Sequence, residues 1–331
     1  MKICLAASGG GHLRQLARLK PFYEKHEAFL ITQETPLGSA LSEEIRTYFI
    51  PDIALGKMKR SPREWGTYLD NLSQSYKTLK DEKPDLILST GAGLAFNTLW
   101  MGKYFKAKTL FIESIAHVYT PTATGKTVSK WATAYVVQWE ELHNQYPDSV
   151  LACPIRTMGE KVSPSAEGGT FVTVGTHGPF PRLIDEVERL SKENKLPRPV
   201  VVQHPGETPI PHADLVVMNC SSEDFEKHLH EASLVITHAG TGSIFSALEA
   251  ERRVIAIARL AKHGEHYDDH QREILIKLSE MGAILGSDHV EDLESLIEAS
   301  HSFEPITLQY DSNVIIEAIE GLTAGWFPKK G

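Results

Sequence analysis

The stretch His238-Ala239-Gly240-Thr241-Gly242-Ser243 has the makings of an anion cradle. It closes the apolar run SLVITH (233–238) and precedes a helical pattern that reaches about Glu251. Glycine peptides at a helix N-terminus expose several N–H groups with the positive end of the helix dipole behind them, which suits a pyrophosphate. Thr241 and Ser243 add hydroxyl donors, and a plain helix cap would not need both glycines. Ser8-Gly9-Gly10-Gly11-His12 is a second such turn, after the apolar run KICLAA (2–7). Three successive glycines carry a backbone entropy penalty that a simple turn does not require. His12 stands at its mouth, and an imidazole titrates near neutrality, which makes it the first candidate for a general base. Glu113 and His117, just beyond the run TLFIES (109–114), are the second and third.

Other groupings are weaker. His263-Gly264-Glu265-His266-Tyr267-Asp268-Asp269-His270-Gln271 is dense in polar groups, but it has no thiolate and no HExxH order. Hydrogen bonding to sugar hydroxyls is the favoured reading, with a metal the minority one, so neither a metal nor another cofactor is expected. The Gly9 turn is not the dinucleotide fingerprint, since Arg14 stands where the third glycine belongs. Thr122–Thr127 ends like a phosphate-binding loop, but Thr120 replaces its first glycine.

These residues need elements to hold them, and the pattern supplies them. Short apolar runs at 28–32, 86–90, 135–137 and 150–152 alternate with helical stretches in the first half. Residues 36–83 are less regular, with a helix expected over 73–80. After the polar, Pro- and Gly-containing stretch 157–169, the alternation restarts with runs at 170–175, 199–203, 215–218, 233–238 and 253–258. Continuous apolar strands alternating with helices predict parallel sheets covered on both faces. The expectation is an α/β protein of two Rossmann-like domains facing each other across a cleft, with ligands beyond the carboxyl ends of the strands. The domains are placed at 1–156 and 170–310, joined by a linker at 157–169. The amphipathic helix within 311–331 is expected to pack back on the first domain.

The chain has 331 residues, 41% hydrophobic and 23% charged, which excludes a disordered or fibrous protein. No apolar run reaches the ~18–20 residues that span a bilayer. Three dispersed cysteines argue against a disulfide framework, and the expectation is a cytoplasmic protein. Residues 1–160 hold 19 Lys and Arg against 16 Asp and Glu, whereas 161–331 hold 15 against 27. In the basic half, Lys57, Lys59, Arg60, Arg63, Lys103, Lys106 and Lys108 are interleaved with Trp65, Trp100, Tyr104 and Phe105. That mixture suits a surface resting on anionic lipid headgroups, or equally a solvated face beside ordinary core aromatics.

Taken in order, the motifs resemble a GT-B glycosyltransferase in which two partner subunits are fused. SGGGH (8–12), PDLILSTGAG (84–93), FIES (111–114), GK (125–126) and VVQWEEL (136–142) resemble the membrane-recruiting, acceptor-binding subunit of the eukaryotic UDP-GlcNAc transferase that adds the second sugar to dolichol-linked oligosaccharide. FVTVGT (171–176), VVVQH (200–204), SLVITHAGTGSI (233–244) and DDHQ (268–271) resemble its donor-binding catalytic subunit. AR (258–259) followed by GEHYDDHQ (264–271) is similar to the donor loop of bacterial exopolysaccharide pairs of this type, several of which transfer glucuronic acid.

The resemblance implies an inverting, metal-independent transfer from a UDP-sugar, best guess UDP-glucuronate, to a polyprenyl-diphosphate-linked sugar at the inner face of the plasma membrane. It places the donor diphosphate at Gly240, Thr241, Gly242, Ser243, Thr176 and His177. The donor sugar and nucleotide fall to Gln203, His238, Arg259, His270 and Gln271, with Arg259 pairing a uronate carboxylate. The family's ribose-binding Glu falls at Ser246, and Glu249, one turn later, is the substitute. Gly10, Gly11, Gly91, Trp65, Arg60, Trp100 and Lys103 are assigned to the acceptor and membrane. No nucleic acid is expected as a partner. A UDP-sugar 2-epimerase of the same architecture and a non-catalytic recruiting scaffold are the alternatives, and the intact HAGTGS loop argues against the scaffold.

Overall fold

The computed structural model describes residues 1–53, 62–161, 164–165, 167–175, 178–206, 208–218, 220–266 and 268–328. The chain divides into two compact units, Met1–Pro154 with Asp311–Gly331, and Ile155–Tyr310.

The first unit is built on seven strands: β1 (Lys2–Ala7), β2 (Glu27–Thr32), β3 (Thr47–Phe49), β4 (Leu86–Gly91), β5 (Lys108–Ile112), β6 (Ala134–Val137) and β7 (Val150–Leu151). Their order is β3-β2-β1-β4-β5-β6-β7, parallel throughout. Alternate side chains of the central strands feed two cores. Ile3, Leu5, Leu86, Leu88 and Leu110 pack with Leu13, Leu16 and Phe22 on one face. Cys4, Ala6, Ile87 and Phe111 pack with Leu79, Leu94 and Leu99 on the other. The strand order reverses between β1 and β4, so the turns leaving these strands, Ser8–Gly11 and Gly91–Gly93, lie side by side at the switch point. The helix Asn313–Trp326 returns from the far end of the chain, and its Ile315, Ile316 and Ile319 complete the first of these cores.

The second unit contains β8 (Ile155–Lys161), β9 (Gly169–Thr173), β10 (Val200–Gln203), β11 (Leu215–Val217), β12 (Ala232–Thr237), β13 (Arg253–Ile257), β14 (Leu285–Ser287) and β15 (Ile306–Tyr310). Six of them form a parallel sheet of order β11-β10-β9-β12-β13-β14. Its switch point lies between β9 and β12, where the Gly175 turn and the His238–Gly240 turn begin. Val172, Val174, Leu183, Val202, Ile236 and Ile255 centre the core on one face.

Two expectations need correction. Residues 157–161 of the expected linker belong to β8, which pairs antiparallel with β15. Apart from Ile155, the residues of β8 are exposed, so hydrophobic patterning had nothing to register. The irregular stretch 36–83 contains the helices Pro36–Ser42 and Pro62–Glu82, and the second is far longer than the one expected over 73–80.

Candidate active-site elements

In the first unit, the turns after β1 and β4 are laced together. His12, in the helix Gly11–Ala17, donates from Nδ1 to the Thr90 carbonyl at 2.7 Å. Thr90 returns a bond from Oγ1 to the His12 carbonyl, also at 2.7 Å. A carbonyl can only accept, so Nδ1 carries the hydrogen and, in the neutral ring, Nε2 carries the lone pair a base requires. Gly91 makes room for this ring. It has φ +98°, and a Cβ there would stand 3.2 Å from the imidazole. Gly91 is buried and serves His12, whereas Gly11 is exposed, with open space where a side chain would be.

The neighbouring helix start at Leu94 is occupied. Asp52 Oδ1 accepts from the Leu94 amide at 3.0 Å, the Ile53 amide at 2.9 Å and Ser8 Oγ at 3.0 Å. Ser8 Oγ in turn accepts from the Ala92 amide at 3.2 Å. A carboxylate already stands where an anion would dock, so the Gly91–Gly93 turn is a structural staple. The sequence reading missed Asp52, because a single acid in an irregular stretch carries no local signal.

Glu113 is corrected from a candidate base to a buried anchor. It has no exposed surface, and its carboxylate accepts from the Ser114 amide at 2.8 Å, the Thr122 amide at 3.1 Å, Thr122 Oγ1 at 3.2 Å and Tyr135 Oη at 2.8 Å. Those bonds occupy the carboxylate with its own scaffold rather than presenting it to a ligand. Burial, followed by the charge and hydrogen bond of Glu113, raises the Tyr135 phenol far above its usual range. The same anchor explains the Thr122–Thr127 motif. Thr122 caps the short helix Ala123–Val128 through the Gly125 amide at 2.8 Å. His117 is nearly buried, with Nδ1 on the Thr120 carbonyl at 2.8 Å.

In the second unit, the helix Thr241–Glu249 begins directly after β12 and its turn. Among the described residues, no side chain accepts from the amides of 241–243, and the Thr241 and Ser243 hydroxyls have no hydrogen-bond partner. His238 fixes the approach to this helix. Its Nδ1 lies 3.4 Å from the Thr173 carbonyl and 3.3 Å from Thr237 Oγ1. Its ring sits between two glycines: a Cβ would stand 2.6 Å from Cε1 at Gly175 and 2.3 Å from Nε2 at Gly240. Gly240 is therefore required by His238 as well as by any ligand. Beyond the neighbouring strand ends, Gln203 Oε1 accepts from Thr173 Oγ1 at 2.7 Å, and Gln271 Oε1 accepts from the Arg259 amide at 3.2 Å. His270 Nδ1 lies 2.5 Å, and His266 Nδ1 3.2 Å, from the same oxygen of Asp268. That contact fixes the His270 ring.

Arg259 is also corrected. Its side chain has no exposed surface, and Nη2 donates to the carbonyls of Val174 at 2.7 Å and Gly178 at 2.8 Å. A guanidinium held in this way is not presented to a sugar carboxylate. Glu249 is exposed at the end of its helix, and Ser246 is half-buried. Thr176, His177 and Arg60 lie outside the described residues, as do Lys57 and Lys59.

Of the residues expected at a membrane, Trp65, Trp100 and Lys103 lie on two helices that pack together. The helices Pro62–Glu82 and Leu94–Tyr104 pack together and leave Trp65 53%, Leu69 59%, Trp100 49% and Tyr104 73% exposed. Lys103 stands beside them, its ammonium 5.3 Å from the Trp131 ring. Among the described residues, no helix is long and apolar enough to cross a membrane.

Two known families match the two units separately. Residues 170–309 match the glycosyltransferase family 28 C-terminal domain, and residues 64–155 match the family described as oligosaccharide biosynthesis protein Alg14 like. The chain is a glycosyltransferase of GT-B fold. Its first unit is similar to the human UDP-N-acetylglucosamine transferase subunit ALG14, at 25% identity over 45% of this chain and 81% of the human protein. The mouse protein of the same name is 23% identical with the same coverage. Among solved structures, the transferase is similar to Acinetobacter baumannii MurG, with a TM-score of 0.63 and 16% identity over 96% of this chain and 94% of that one. It is also similar to the Methanocaldococcus jannaschii UDP-GlcNAc 2-epimerase, with a TM-score of 0.68 and 12% identity over 98% and 100%. At these identities the structural likeness concerns the fold alone.

Proposed function

We propose that the transferase moves a sugar, with inversion, from a UDP-sugar to a polyprenyl-diphosphate-linked saccharide. The carrying observation is the start of the helix Thr241–Glu249, where among the described residues no side chain accepts from the first-turn amides or bonds the Thr241 and Ser243 hydroxyls, in the segment that matches the family 28 domain. Those amides hold the donor diphosphate and stabilise the charge that builds on departing UDP. They do so without a divalent metal. Gln203, His270 and Gln271 stand at neighbouring strand ends to meet the nucleotide and sugar. Glucuronic acid is the proposed sugar, on the likeness of Ala258-Arg259 and Gly264–Gln271 to exopolysaccharide donor loops. With Arg259 buried, the exposed Lys262 and His263 are the basic groups left to pair a carboxylate.

His12 is the proposed base, because the Thr90 bond fixes the tautomer that leaves Nε2 able to take the acceptor hydroxyl proton. The similarity of the first unit to ALG14 supports a lipid-linked acceptor. The exposed Trp65, Trp100 and Tyr104, with Lys103, support peripheral docking on an anionic membrane, proposed to be the cytoplasmic face in exopolysaccharide or capsule assembly. The test is a panel of UDP-sugars with and without polyprenyl-diphosphate-linked glucose, in the presence of a chelator. UDP release that requires both substrates and survives chelation is expected. Conversion of the donor sugar without acceptor identifies an epimerase instead.

A further inference from the structure

Among the described residues, Arg259 is the largest fully buried side chain. One of its nitrogens joins the carbonyls of Val174 and Gly178, both in the connection between β9 and the helix Pro181–Lys192. Its guanidinium lies 5.4 Å from the Phe180 ring, and that of Arg182 lies 5.3 Å from the same ring. Arg182 pairs with Glu265 through Nε at 3.0 Å and Nη2 at 3.1 Å, and Glu265 Oε2 accepts from the Leu260 amide at 3.1 Å. The Arg259 amide reaches Gln271 at 3.2 Å. Gly175, inside the joined connection, faces the His238 ring, which on its other side abuts Gly240. The buried cation thus ties the turn after β9 to the loop after β13, and the backbone amide of the same residue reaches the first residues of the helix His270–Glu280. Through Gly175 and His238 it also reaches the start of the helix Thr241–Glu249. A cation is buried only where such bonds compensate its lost hydration.

We propose that Arg259 is a positioning residue for the donor's nucleoside diphosphate, holding the Gly175–His238–Gly240 stack that aims the amides of 241–243, and that it reads no group on the sugar. This rests on the proposed function's assignment of a UDP-sugar to the second unit. The experiment titrates UDP, UDP-glucose and UDP-glucuronate into the full chain by calorimetry, for wild type, Arg259→Met and Arg259→Lys, with donor kinetics in parallel.

Arg259→Met is expected to weaken all three ligands by one common factor, about 10- to 100-fold for an ångström-scale misplacement. Donor KM should rise to match, with the preference between the two sugars unchanged. Arg259→Lys, which keeps a cation able to reach both carbonyls, should recover part of the loss, and it carries the comparison if the Met variant does not fold. Selective loss of UDP-glucuronate with intact UDP binding would overturn the proposal, as would unchanged affinity in both variants. A wild-type chain that binds no UDP would overturn the donor assignment itself, and that result is distinguishable because it precedes any substitution.

Discussion

Two helices of this protein begin after a glycine-containing turn at the switch point of a parallel sheet, and their amide ends are used differently. At Leu94 the end is filled from within, by Asp52, 42 residues away in sequence. At Thr241 no side chain of the described residues fills it, and two hydroxyls stand unused beside it. The local sequences, Gly91-Ala92-Gly93 and His238-Ala239-Gly240-Thr241-Gly242, both put glycines just before a helix, and only the second reads as a phosphate cradle. The difference teaches that a glycine turn before a helix is a ligand site only if the protein leaves its amides unclaimed. At the first turn the catalytic interest shifts to the histidine that the glycine accommodates. At the second it stays with the amides.

Three substitutions test that contrast, and a fourth serves as a control outside it. His12→Ala removes the proposed base and is expected to lower kcat by about 10²- to 10⁴-fold while UDP affinity is unchanged. Near-normal turnover would remove His12 from the chemistry. Gly240→Val drives a side chain into the His238 ring and displaces the first-turn amides. Donor turnover should fall by about 10²- to 10³-fold, the effect of losing a charge-stabilising donor, with the thermal melt showing a folded chain.

Asp52→Ala should behave in the opposite sense. It is expected to destabilise the protein by about 1 kcal/mol, as other lost helix caps do, and to leave UDP binding as it was. A large loss of UDP affinity in this variant would dissolve the contrast between the two helix starts.

The smallest effect is expected at Glu82, which belongs to neither turn. Burial would raise the Glu82 carboxyl, but the bonds from Lys2, Tyr48 and Arg46 outweigh it and hold the group at about 2. A depressed folded pKa contributes stability above the ordinary value of 4.5, and that contribution is lost as pH falls from there through about 2. Glu82→Gln should therefore flatten the dependence of Tm on pH between those values and leave transfer at neutral pH unaltered. An equally steep acid limb in the variant would show that other carboxylates carry it.

Much of the fold was legible because buried parallel strands must be continuously apolar. Leu86–Gly91 and Ala232–Thr237 declare themselves without any partner in view. The pairing of β8 with β15 was not legible, since it joins a largely exposed strand to one some 150 residues later. The candidate site divides in the same way. The HAGTGS and SGGGH turns could be found from residue type and spacing alone. The roles of Glu113 and Arg259 could not, because an acid or an arginine next to a strand end looks the same whether it faces solvent or a ring of backbone donors and carbonyls.

The order of chemical groups along the chain was thus set by the sequence itself: which runs must be buried, where the glycines fall, and which side chains can carry protons or charge. Tertiary structure decided which of those groups remain available. Availability depends on partners distant in sequence, such as Asp52 for the helix at Leu94 and the Val174 and Gly178 carbonyls for Arg259. Such partners are brought together only when the sheets fold, so nothing in a short window of residues can record them.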